Sequence, residues 1–205
     1  MEPIDCYFDY RSPFAYIASE VLPRFAERVG VSLRWKPIDL MGLSNYENGL
    51  PYSAVKRRYV FVDGARSAEF HGVSIRMPKP HPVESDSALR LSLVALDEPG
   101  YLDLQQSLFR AAWRDQRDLG KREVLCECVS QVKGPVEEWL RRADLCETSE
   151  LLDHFTAEAE SKGVFGVPSM ILGDELFWGL DSLPTLEWRL GALSHPNERP
   201  QDRLR

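Results

Sequence analysis

A chain of 205 residues with 43% hydrophobic and 28% charged residues has the composition of an ordinary globular domain with a sizeable core, which excludes disordered and fibrous classes. Asp and Glu outnumber Lys and Arg by 32 to 25 with no long basic tract, so the footprint of a nucleic-acid groove is missing and small-molecule chemistry fits better. The opening MEPIDCYFDY has no basic stretch before an apolar one, as a secretory signal would, and no apolar run is long enough to span a bilayer. A cytoplasmic protein with no membrane or nucleic-acid partner is expected.

The first predicted element is a buried strand in PIDCYFDY. It breaks at Arg11-Ser12-Pro13 and runs into a helix ending near Val29, with Ser12 as cap and Pro13 in the first turn. A hydroxyl therefore stands where many folds place a nucleophile or bind an anion, although Ser before Pro is also an ordinary cap. Gly30 stops the helix and VSLRWKPIDL reads as a second strand, so the chain begins with a βαβ unit whose two strands are parallel.

From about Ser44 to Gly163 the spacing is helical. ESDSALRLSLVALDE, DLQQSLFRAAWRDQ and REVLCECVSQVK each carry an apolar stripe, and in the last Val124, Leu125, Cys128, Val129 and Val132 share one face, placing Cys128 in the core. PVEEWLRRA follows with Pro135 at a first helical position, then TSELLDHFTAEAESKG with a Lys162-Gly163 stop. Strand signals return in VPSMILGDELFWG, where Gly173-Asp174 predicts a hairpin turn, before a last amphipathic helix in DSLPTLEWRLGAL and a polar tail expected to be disordered. The reading is a single α/β domain over 1–205, βαβ then ββα, with a helical insertion at about 44–163.

The cysteines are Cys6, Cys126, Cys128 and Cys146, with no CxxC pair and no metal-ligand rhythm with His71, His81, His154 or His195. Reduced thiols and no metal are expected.

The element order is that of the thioredoxin fold with a helical insertion. Ser12 stands at the strand-to-helix junction where a redox-active thioredoxin relative carries its first catalytic cysteine, and GVPSMIL resembles the cis-proline segment. On YFDYRSPFAYIAS, KRRYVFVDGARSAEFHG and GVFGVPSMILGDELFWGLDSL, in that order from Ile4 to about Leu193, the chain resembles a DsbA-related branch. That branch contains the 2-hydroxychromene-2-carboxylate isomerases and the kappa-class glutathione transferases.

The resemblance implies glutathione as cofactor, an electrophilic small molecule as substrate, and room for a homodimer. It implies that Ser12 is catalytic, its hydroxyl donating to the glutathione sulfur and favouring the thiolate together with the helix dipole. It also implies that Val167, before a cis Pro168, pairs with the cysteinyl part, and that Trp178, Gly179, Leu180 and Asp181 line the γ-glutamyl end. Asp181 would hold the ammonium, with helix capping as its local alternative. Many relatives carry Arg immediately after this Asp; here the residue is Ser182. For the substrate, the Lys of the isomerases falls at Ser44, the following loop offers Asn48, and an aromatic hydroxyl is replaced by His81, a candidate acid-base group that also reads as an exposed loop histidine. Lys56, Arg57 and Arg58 would draw an anion or form a solvated helix face. An isomerase is the leading expectation, with a kappa-type transferase or a non-catalytic thioredoxin-fold binding module as alternatives. A thiol-disulfide oxidoreductase is disfavoured by Ser12 and the missing CxxC.

Overall fold

The computed structural model describes residues 2–49 and 53–192, so the polar tail read from the sequence lies outside the described residues. Strand β1 (Ile4–Phe8) is buried along its whole length because both faces of the sheet are covered, which is why it reads as a continuous apolar run. It pairs in parallel with β2 (Leu33–Pro37) and antiparallel with β3 (Ser169–Leu172), while β4 (Glu175–Trp178) closes the edge in the order β2-β1-β3-β4. The β3–β4 register, Leu172 opposite Glu175, leaves the predicted Gly173-Asp174 as a two-residue turn, with Gly173 at φ 63°.

Helix α1 (Pro13–Val29) follows β1 directly and ends at Gly30, whose left-handed φ of 72° lets its N–H close on Ala26 O. Pro23 sits inside α1 and has no N–H to offer the Ser19 carbonyl. That carbonyl accepts Gln106 Nε2 at 2.8 Å instead, which ties α1 to α4 (Tyr101–Trp113) beside the bidentate Arg110–Glu20 pair.

Helices α2 (Ala54–His71), α3 (Asp86–Ala95), α4, α5 (Arg122–Gln131), α6 (Val136–Ala143) and α7 (Cys146–Ser161) lie between β2 and β3. Helix α4 begins two residues before the predicted stripe because Gly100, at φ 87°, can end the preceding turn and give its carbonyl to Leu104 N. Pro135 precedes α6 and is not its first helical residue. Helix α8 (Leu183–Ala192) follows a 3₁₀ turn at Leu180–Ser182.

The core gathers around the aromatic residues of the β1 end. Phe109 of α4 lies 5.7 Å from Phe8 and 4.5 Å from Tyr10 between ring centres. Trp113 Nε1 donates to the Tyr10 carbonyl at 2.7 Å, and the Tyr10 hydroxyl pairs with Ser92 of α3 at 2.6 Å. The segment leading into α1 is thereby fixed from below. Cys128 is buried in the same core, as its stripe predicted.

Candidate active site

Ser12 caps α1 with φ −95° and ψ 122°, its Oγ accepting Ala15 N at 3.2 Å and its carbonyl accepting Tyr16 N at 3.1 Å. Pro13 carries no N–H, and the Phe14 N–H meets no backbone acceptor among the described residues. The first turn holds no acidic side chain, so the positive end of a 17-residue helix is not neutralised there. The Ser12 hydroxyl proton has a partner: it is donated to the Val167 carbonyl at 3.1 Å, across 155 residues of sequence.

The Val167–Pro168 peptide bond is cis, as are Lys79–Pro80 and His81–Pro82. The Pro168 carbonyl accepts Gly179 N at 2.9 Å, which joins the proline segment to the end of β4. The Val167 N–H meets no backbone acceptor among the described residues. Trp178 is half exposed and packs at a tilt against Phe165 with ring centres 5.1 Å apart, and its indole lies over Gly166, where a Cβ would come within 3.0 Å of Nε1. Gly179 then takes φ 78° and ψ 163°, a region open essentially to glycine alone. Ser182 turns back to donate to the Gly179 carbonyl at 2.7 Å. Asp181 is exposed in the 3₁₀ turn, and its carboxylate caps no backbone amide among the described residues.

Val167, Pro168, Trp178, Gly179, Leu180 and Asp181 line one groove of about 1230 Å³, closed on the other side by α1 and α2. Ser12 lies just behind its Val167-Pro168 wall and is 7% exposed. The α2 wall carries Lys56, Tyr59 and Arg66. Asn48 and His81 are exposed and do not line this groove. The His81 ring packs edge-on against Phe61 of α2 at 5.1 Å, and partial burial lowers its pKa from the usual imidazole value. In the loop after β2, Asn45 is also exposed but reaches the cis-proline segment, donating to the Phe165 carbonyl at 2.9 Å. Ser44 binds the Glu160 carboxylate through both N–H and hydroxyl, and those hydrogen bonds hold the Glu160 pKa below its usual value.

The sequence reading missed a buried acid at the end of β1. The Asp9 carboxylate accepts Arg11 N at 2.9 Å, Arg11 Nη1 at 2.8 Å and Leu40 N at 2.8 Å. Its one signal in the sequence is an acid inside an apolar run, in CYFDY. Burial pushes the Asp9 carboxyl up, against the opposing pull of Arg11 and the two amides.

None of the four cysteines lines the groove. Cys6 is buried in β1, and burial raises its thiol pKa far from a reactive range. Among the described residues no group of His, Cys, Asp and Glu is arranged to hold a metal ion, and no helix is long and apolar enough to cross a membrane.

Residues 3–191 match the family model of the DSBA-like thioredoxin domain. A 2-hydroxychromene-2-carboxylate isomerase of Pseudomonas putida is 31% identical over 206 residues, covering 95% of this chain and 97% of the relative. Glutathione S-transferase kappa 2 of Caenorhabditis elegans is 26% identical over 195 residues, covering 87% of each. A solved structure of 2-hydroxychromene-2-carboxylate isomerase superposes with a TM-score of 0.84 at 27% identity, over 94% of this chain and 96% of that one. The chain thus belongs to the DsbA-like thioredoxin family, where its relatives include 2-hydroxychromene-2-carboxylate isomerases and kappa-class glutathione transferases.

Proposed function

We propose that the protein is a cytoplasmic, glutathione-dependent isomerase acting on an electrophilic, aromatic-derived small molecule, with the whole chain working as one thioredoxin-like unit. The observation that carries this reading is a hydroxyl, with no thiol beside it, at the unneutralised start of α1 and against the carbonyl that precedes the cis proline. A redox site of this fold needs a cysteine at that junction, so the sulfur has to arrive with the ligand. The Val167 N–H, without a backbone acceptor among the described residues, and the exposed Asp181 carboxylate on the same groove fit the two ends of a γ-glutamyl-cysteinyl ligand.

Asp181 would hold the ammonium, Val167 the cysteinyl amide through its N–H and C=O, and Ser12 the sulfur. When bound, glutathione would supply a thiol nucleophile suited to reversible addition at a conjugated carbon, with no net redox change. The Ser12 hydroxyl cannot serve Val167 O and a sulfur with the same proton. The hydroxyl now donates to Val167 O while its oxygen accepts Ala15 N; a ligand amide N–H that took the Val167 carbonyl would free the hydroxyl to donate to the sulfur. Binding the peptide part and stabilising the thiolate are thereby linked through one carbonyl. The substrate would sit against the α2 side of the groove, with Asn48 and His81 in reserve as contacts from the adjoining loops.

The experiment is a pH titration of thiolate absorbance in the glutathione complex. Ser12→Ala should raise the bound thiol pKa by roughly one unit, the equivalent of a lost hydrogen bond of about 1.4 kcal/mol, and lower turnover more than affinity. Ser12→Gly keeps most of the cap and should behave like Ala in the titration. Coincident titrations of wild type and Ser12→Ala would return Ser12 to capping. A stable conjugate in place of an isomer, read by mass analysis of the product, would make the protein a kappa-type transferase.

A further inference from the structure

Ser12 is useful only if its hydroxyl is aimed, and the backbone that carries it is held by residues outside the groove lining. The turn Asp9 to Ser12 is closed by Ser12 N donating to the Asp9 carbonyl at 3.1 Å. The Asp9 side chain, 0% exposed, then accepts the next amide, Arg11 N, and reaches across to Leu40 N in the loop after β2. Arg11 Nη1 bridges this carboxylate and Asp39 Oδ1 at 2.6 Å, and Asp39 is itself held by Thr156 of α7, whose Oγ1 accepts its N–H at 3.0 Å.

A helix cap requires none of this. Burying a carboxylate is unfavourable unless donors converge on it, and here they converge from the turn itself and from the β2 loop. What the arrangement supplies is a fixed place for residues 11 and 12 that does not depend on Val167, the partner the hydroxyl must give up. We propose that Asp9, braced by Arg11 and Asp39, is a positioning residue that holds the Ser12 hydroxyl on the glutathione sulfur once the Val167 carbonyl is taken by the ligand. This inference rests on the reading of Ser12 as the thiolate's donor.

Asp9→Asn keeps the side-chain shape but turns an NH₂ towards donors that need an acceptor. It should raise the pKa of the bound thiol by roughly half to one unit, with a matching fall in kcat and little change in KM for glutathione. Asp39→Asn, on the exposed side of the clamp, should give a smaller shift in the same direction and serves as the readout if Asp9→Asn does not fold. The deciding measurement is each substitution repeated in Ser12→Ala. If Asp9 acts through Ser12, its effect on the thiol pKa disappears in that background, whereas a general loosening of the fold persists. A normal thiol pKa in both clamp variants, or an equal shift with and without the Ser12 hydroxyl, overturns the positioning role. An unshifted Ser12→Ala complex instead overturns the reading of Ser12, and the two failures are told apart by that single variant.

Discussion

Replacing Gly179 by Ala separates backbone strain from ligand binding in one experiment. At φ 78° and ψ 163° the residue occupies a region that costs an L-amino acid about 1–3 kcal/mol. The new Cβ would also lie 2.5 Å from Asp181 Oδ1, so the carboxylate has to swing away. Because Asp181 is exposed, that movement adds little to the stability cost, but it removes the anion from the place proposed for the ligand's ammonium. A charge-assisted hydrogen bond of about 1.5–3 kcal/mol is then weakened or lost. Urea unfolding measures the first effect and titration calorimetry with glutathione the second, on wild type, Gly179→Ala, Asp181→Ala and the double variant. The stability loss should appear in both backgrounds. The affinity loss should appear only where Asp181 is present, since Asp181→Ala has already removed what the Cβ displaces. Wild-type affinity in Gly179→Ala would refute the ammonium contact. A further loss in the double variant would instead assign the effect to the Gly179 N–H bond with Pro168 O, and so to the proline segment.

Gly134→Ala should destabilise the protein by about 1–3 kcal/mol in urea without changing glutathione affinity, because its Cβ would meet Trp139 at 2.7 Å and Val129 at 2.8 Å far from the groove. An unchanged midpoint would show that the α5–α6 connection gives way freely. Glu160 should titrate below the usual glutamate range by NMR and return towards it in Ser44→Ala, since the Ser44 hydroxyl and N–H favour its charged form. With the folded pKa depressed, the stability this contact contributes is present above the unfolded carboxyl pKa and is lost as pH falls through the folded value. Identical Glu160 titrations in the two proteins would contradict that account.

Local chemistry carried much of the architecture. Ser12 before Pro13, the Gly30 stop and the Gly173-Asp174 turn each act within a few residues, so the boundaries of α1 and the β3–β4 hairpin follow from the backbone needs of capping and turning. The apolar stripe of α5 placed Cys128 correctly for the same reason. Helix α2 was not separately legible, because it buries only Gly64 and Ala68 and turns Tyr59 and Phe70 outward, so it has no stripe to read. It meets α1 at Gly64, where an added Cβ would stand 3.4 Å from Pro13. The loop after β2 held two asparagines, and nothing local distinguishes Asn48 from Asn45, which the fold turns onto the Phe165 carbonyl. The candidate site divides in the same way. That Ser12 begins a helix is a property of its own segment, whereas what its hydroxyl touches is decided by Val167, 155 residues away. Asp9 in turn looks like an interruption of an apolar strand until Leu40 and Arg11 are folded against it. Capping and periodicity are settled between neighbours in the chain, but a buried carboxylate or a shared proton has no meaning until the sheet and the helices have chosen which distant groups surround it.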